Sequence, residues 1–185
     1  MYQTRRYLAD ISIDKYLEEY VDIPQFLELC KACPNYNRKW SCPPYDFKPE
    51  DYWNKYGKMH VIGTKIIFDE ATINQKYATE EIINIVKTVI KKEQSLLFDE
   101  LLALEEKYPG SISLAAGSCS LCENCARPDS NACNHADKLR YSIESLGGNV
   151  DKTVKKLLGL ELQWMREGNL PEYFLLVSAL LTPSI

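Results

Sequence analysis

The sequence lacks the features that would fix a location or a reaction by themselves. The start, Met1-Tyr-Gln-Thr-Arg5-Arg6, is basic, but no apolar core region follows it, so no secretory leader is predicted. The longest late apolar run, 173–181, is broken only by Ser178 and is too short to span a bilayer. Neither sign of charge dominates: the net charge is −4 with 26% charged residues, which argues against a general nucleic-acid binder. There is no phosphate loop, no dinucleotide fingerprint and no Ser-His-Asp set in a recognisable context. Internal repeats, low-complexity segments and clear linkers are also missing. These absences predict a cytoplasmic protein with no membrane and no nucleic-acid partner.

Cysteine is what the chain has in quantity. Seven cysteines in a cytoplasmic chain signal metal or redox chemistry more than disulfides, and the odd count argues against a purely disulfide framework. A length of 185 residues, 45% of them hydrophobic, fits one metal-binding domain with a substantial core. Within it, a cysteine-loop lead-in over 1–57 would pack on a core over 58–185.

The thiols fall in two clusters. Cys119-Ser-Leu-Cys122-Glu-Asn-Cys125 puts three thiolates on one tight curl, and Cys133 follows, with His135 two residues on. Successive two-residue gaps resemble iron–sulfur runs, whereas structural zinc pairs two separated knuckles. The four cysteines are therefore read as ligands of a [4Fe-4S] cluster, with structural zinc as the alternative. Cys30, Cys33 and Cys42 form a second, three-thiolate set. Its fourth place could be filled by Cys133, His135, His60, water or a substrate, giving one or two metal sites. Among the residues of this first loop, Tyr36, Arg38, Lys39, Trp40 and Tyr45 would shield a cluster and neutralise its charge. Glu123 and Asn124 read as solvent-facing spacers, and His60 as structural.

Local patterns predict the frame. Residues 1–28 read as a helical lead-in, with Asp22 and Pro24 opening a helix that delivers Cys30 and Cys33. A brief helix is expected over 49–55 and a β-branched strand over 59–68. Thr79 reads as the N-cap of a long amphipathic helix to Lys107, about 40 Å at about 1.5 Å per residue. A short strand over 111–116 would deliver Cys119. Helices over 137–146 and 151–158 follow. Strands over 160–165 and 173–181 would be joined by a turn through Arg166-Glu-Gly-Asn-Leu-Pro171. The class is α+β: a small mixed or antiparallel sheet covered by helices on one face, with cysteine-rich loops.

Two segments also resemble a known family. One is Cys30-x2-Cys33-Pro-Asn-Tyr-Asn-Arg-Lys-Trp40-Ser-Cys42-Pro43-Pro44. The other is Ala116-Gly117-Ser118-Cys119-x2-Cys122-x2-Cys125 with Cys133 and His135, running into Arg140-Tyr-Ser142-Ile-Glu144-Ser-Leu-Gly147. Together they resemble the predicted metal-binding, cysteine-rich prokaryotic proteins of domain-of-unknown-function family 2284, across roughly residues 25–180. The resemblance implies metal binding through these cysteines and no established reaction. Where the family usually carries Cys-Arg-His-Pro, this chain has Cys133-Asn134-His135-Ala136.

Three functions fit such thiolates. The first is a redox or electron-transfer protein that serves a partner protein or a small molecule. The second is an enzyme whose open iron acts as a Lewis acid on a small substrate. The third is a zinc-stapled, non-catalytic binding module.

Overall fold

A computed structural model describes residues 2–165 and 169–184. Its frame is a four-stranded antiparallel sheet in the order β1-β2-β4-β3. The strands are β1 (Tyr2–Ser12), β2 (Lys58–Phe68), β3 (Ile112–Leu114) and β4 (Tyr173–Thr182). β2 and β4 are central, and both are rich in apolar and β-branched residues because each strand face meets a packed layer. Their register places Met59 against Leu181, Val61 against Ala179 and Ile62 against Ser178.

Among the described residues six α-helices accompany the sheet: α1 (Ile13–Tyr20), α2 (Ile23–Lys31), α3 (Pro49–Trp53), α4 (Glu70–Asn74), α5 (Thr79–Lys107) and α6 (Val150–Thr153). The α+β class and the antiparallel sheet hold. The apolar layers, however, cover both sheet faces rather than one, because alternate residues of β2 and β4 are apolar on either side. On one face Met59, Val61, Val177, Ala179 and Leu181 pack with Tyr16, Trp53, Leu146 and Val154. On the other, Ile62, Ile66 and Leu176 pack with Leu97 and Leu101 of α5. Trp53 is fully buried and its indole N–H donates to the Leu146 carbonyl at 3.0 Å. Gly63 permits a close approach: a Cβ there would lie 2.7 Å from the Leu158 side chain.

Several expectations are corrected. Residues 2–12 form an edge strand, not part of a helical lead-in; β1 has a strand neighbour on one side only and exposes most of its length. Ala78, not Thr79, caps α5, and its N–H donates to the Glu81 carboxylate at 2.9 Å. Instead of one helix over 137–146 there are two short 3-10 turns, Ala136–Lys138 and Glu144–Leu146. Between them Ala115 bridges Ser142 in parallel, which draws the backbone out of a helix. Residues 160–165 are irregular, not a strand. Of the turn predicted to follow them, Arg166, Glu167 and Gly168 lie outside the described residues. Among the described residues no helix is long and apolar enough to cross a membrane.

The start of α2 fits expectation. The Asp22 side chain accepts the Gln25 N–H at 3.0 Å, and Pro24 sits in the first turn. Since α2 buries no residue fully, this cap is a sizeable part of what holds it. Asp22→Ala should cost about 1 kcal/mol and lower Tm by about 2–4 °C, as measured by thermal melting. A melt unchanged within error would mean that α2 is held by other contacts.

Candidate metal centre

Cys30 lies in the last turn of α2, and Cys33 closes a turn on it, its N–H donating to the Cys30 carbonyl at 2.9 Å. The chain then reverses through Asn37, which has φ 55° and whose N–H donates to the Pro43 carbonyl at 2.8 Å. The Tyr45 hydroxyl donates to the Ser41 carbonyl at 2.8 Å. Prolines 43 and 44 leave no N–H to extend a ladder, so the Tyr45 side chain adds to the few backbone bonds that hold this reversal. Cys42 ends up buried and Cys33 exposed. Burial pushes the Cys30 thiol up to about 11, with further upward pressure from Cys42, Cys33 and the Glu144 carboxyl. The three thiols of this loop thus lie close enough to feel one another's charge across a poorly screened interior.

The second run leaves the sheet at β3. Ala115 donates to the Tyr141 carbonyl at 2.8 Å, and the chain turns at Gly117 with φ 83°. Glycine adopts that left-handed conformation without the strain a side chain would add. The Cys119 N–H then donates to the hydroxyl of the buried Ser41 at 3.0 Å. Beyond this point Cys119, Cys122, Cys125 and Cys133 line one cavity with about 330 Å³ of empty space. His135, Lys39 and Trp40 also line it. Burial raises the Cys119 thiol, a backbone hydrogen bond from Leu121 opposes this, and Cys133 adds to it. Cys133 therefore stands with the second run and not with Cys30, Cys33 and Cys42. Glu123 and Asn124 are exposed.

Besides Ser41, further side chains join the loops. Lys39 donates to the Cys119 carbonyl at 2.7 Å and to the Ser118 hydroxyl at 3.3 Å. Arg127 donates to the Lys39 carbonyl at 2.8 Å and also to the carbonyls of Cys42 and Pro44. Its guanidinium sits 5.1 Å from the centre of the Trp40 ring, whose N–H donates to the Asn131 carbonyl at 3.1 Å. Two cations thus stand where two thiol-rich loops meet, and both pull the Cys42 thiol back down against its burial.

His60 belongs to the sheet, where its ring nitrogens meet Asp10 at 2.7 Å and Thr182 at 3.3 Å. Tyr45 stacks on Phe47 at 4.8 Å, in an aromatic cluster with Tyr141. Among the described residues, no three His, Cys, Asp or Glu side chains already stand as the ligand set of a single ion. A tetrahedral ion about 2.3 Å from each sulfur needs the sulfurs within roughly 4 Å of one another. The donor chemistry nevertheless fits a thiolate-held group: four soft sulfurs on one cavity with cations beside them.

Sequence reasoning missed Ser41, Arg127 and Glu144. Ser41 is adjacent to a singled-out cysteine, so its position was a usable signal. Arg127 and Glu144 carry no local pattern. No curated protein and no solved structure matches the chain. The family model described as "Predicted metal-binding protein (DUF2284)" matches residues 17–182, and the chain belongs to that family.

Proposed function

We propose that the protein is a cytoplasmic iron–sulfur protein that transfers electrons to a partner protein or a small molecule. The observation that carries this reading is the convergence of Cys119, Cys122, Cys125 and Cys133 on one cavity that Lys39 and Trp40 also line. These four thiolates would hold a [4Fe-4S] cluster, which when bound supplies reversible one-electron chemistry at a potential set by hydrogen bonds and burial. Lys39 would offset thiolate charge, Trp40 would keep water off one side, and Arg127 would fix the loop that carries both. Cys30, Cys33 and Cys42 would form a second metal centre with an open position. All seven thiols are free, which suits a reducing compartment.

Protein purified without oxygen should be brown and contain about four irons with matching sulfide per chain, or about eight if both centres are clusters. Cys119→Ser/Cys122→Ser should remove about four of those irons and the corresponding absorbance. Colourless protein with zinc and no sulfide would overturn the redox reading and leave a zinc-stapled module. A cluster spectrum that shifts on adding small ligands would instead favour an open-iron enzyme.

A further inference from the structure

The two edges of the sheet differ. β3 is short, and its Ser113 N–H is taken by Glu105 of α5. β1 is eleven residues long, and its register with β2 runs unbroken from Tyr2 against Phe68 to Ser12 against Lys58. Soluble proteins blunt a long edge with lysine, proline, a bulge or a covering helix. Tyr2–Ser12 contains no lysine or proline, and the unbroken register leaves no bulge. Among the described residues no strand lies beyond it. Leu8, near its middle, is 73% exposed, more than any other large apolar side chain among the described residues.

Side chains alternate along a strand, so Arg6, Leu8 and Asp10 share one face with their β2 partners Thr64, Ile62 and His60. It is the face covered by α5, since Ile62 packs with Leu97 and Leu101 and Arg6 pairs with Glu100. A second copy of β1 laid antiparallel along the open edge is related to the first by a two-fold axis normal to the sheet. Such an axis keeps each residue on its own face, so only even with even and odd with odd can stand opposite. With the axis at Leu8, Leu8 meets itself, and Arg6 meets Asp10 of the second copy on both sides of it. On the other face Tyr7 meets Ala9. An axis at Tyr7 sets Arg6 against Leu8 and Asp10 against Thr4, and one at Ala9 sets Arg6 against Ser12 and Asp10 against Leu8. An axis at Arg6 or at Asp10 brings like charges together. The Leu8 register alone joins apolar to apolar and cation to anion. Arg6 and Asp10 have partners within the chain, yet their side chains are 37% and 53% exposed. A guanidinium carries five N–H donors and a carboxylate accepts about four, so each can serve a second partner.

We infer that β1 is a homodimer interface, along which a second copy of this chain pairs antiparallel about Leu8. The two four-stranded sheets then form one continuous sheet. β3, from which the second cysteine run leaves, is the opposite edge, so that run stays away from the interface. The pairing requires no metal and stands apart from the redox reading.

Sedimentation of the purified full chain with reductant present, from about 1 to about 200 μM, is the test. A monomer–dimer equilibrium with Kd of about 1–100 μM is expected for an interface built on one strand. Leu8→Lys and Leu8→Asp each put like charges on the axis and should each weaken the dimer about tenfold or more. Mixed in equal amounts, the two variants set opposite charges on the axis and should recover the dimer. That recovery is expected only of a contact in which position 8 meets its own copy. Leu8 is a surface residue, so in dilute solution, where the dimer has dissociated, both variants should melt like wild type. A wild type that stays monomeric throughout has its edge bare or covered by another partner, and overturns the inference. So does a Leu8→Lys dimer as tight as wild type, or a mixture no more dimeric than either variant alone.

Discussion

Replacing Arg140 with alanine is expected to cost about 3–5 kcal/mol and to lower Tm by about 6–20 °C. The Arg140 and Glu105 side chains are only 9% and 12% exposed, and they pair through two contacts of 2.7 and 2.5 Å. Screening by water is therefore slight, and removing the cation strands a buried carboxylate. The pair also organises structure. Glu105 accepts the Ser113 N–H at 2.7 Å and the Ser113 hydroxyl, so it anchors β3 to α5. Arg140 donates to the carbonyls of Asp137 and Leu139, both at 2.9 Å, and so fixes the segment that follows Cys133 and His135.

The pH dependence has a definite sign. Burial works to raise the Glu105 carboxyl, and the hydrogen bonds from Arg140 and Ser113 outweigh it, holding it below the usual range. A carboxyl lowered on folding contributes stability that is fully present above its unfolded value of about 4.3 and is lost as pH falls through its folded value. In the variant the stranded carboxyl protonates readily, so the gap to wild type should be widest near pH 7 and close below about pH 4. Melts of both proteins at about pH 7 and about pH 3.5 measure it. The double change Arg140→Met/Glu105→Leu should recover only part of the loss, because two apolar groups leave no buried charge but deprive the buried Ser113 N–H and hydroxyl of their acceptor. A single variant within about 1 kcal/mol of wild type would show that the pair is solvated and weak.

Much of this frame was legible locally. β2, α5, β4 and the Asp22 cap all follow from periodicity and end signals carried within their own residues. β1 was not legible because Gln3, Thr4, Arg5 and Arg6 face solvent on an edge and show no apolar face. Its pairing with β2 is a long-range decision. The segment 137–146 carries helix-forming residues, yet the bridge from Ala115 to Ser142 and the turn at Gly147 override them. The cysteine spacing announced two thiol groups but could not assign Cys133, because the seven residues after Cys125 can fold toward either. Cys133 lies beside Cys119, and the two loops are tied to each other by Lys39 and Arg127, whose partners lie about eighty positions away along the chain. Glu144 was invisible for the same reason: nothing in Ser142-Ile-Glu144-Ser says that one oxygen of its carboxyl will be enclosed with no partner among the described residues.

Arg127→Ala should unlock the first cysteine loop while the sheet stays folded. One guanidinium meets the carbonyls of Lys39, Cys42 and Pro44 in a segment interrupted by two prolines, where the Lys39 carbonyl also accepts the Cys42 N–H at 3.0 Å. The guanidinium also lies against Trp40, so the same change frees the indole that lines the cavity of the four cysteines. Hydrogen bonds to a charged donor contribute about 1.5–3 kcal/mol each when buried, and this group is only partly so. A local loss of about 2 kcal/mol is expected, or roughly a thirtyfold rise in the open population of the loop. Cys42 reports it. This thiol is buried, and alkylation followed by mass spectrometry of metal-free protein reads how often it is reached. Removing the Arg127 charge by itself raises the Cys42 thiol further and slows alkylation, since the thiolate is the reactive form. Faster labelling in the alanine variant can therefore come only from opening. Arg127→Lys keeps the charge but not the planar fork, so it should restore little of the protection. If both variants label Cys42 at the wild-type rate, the loop is held from the Lys39 side and Arg127 does not lock it.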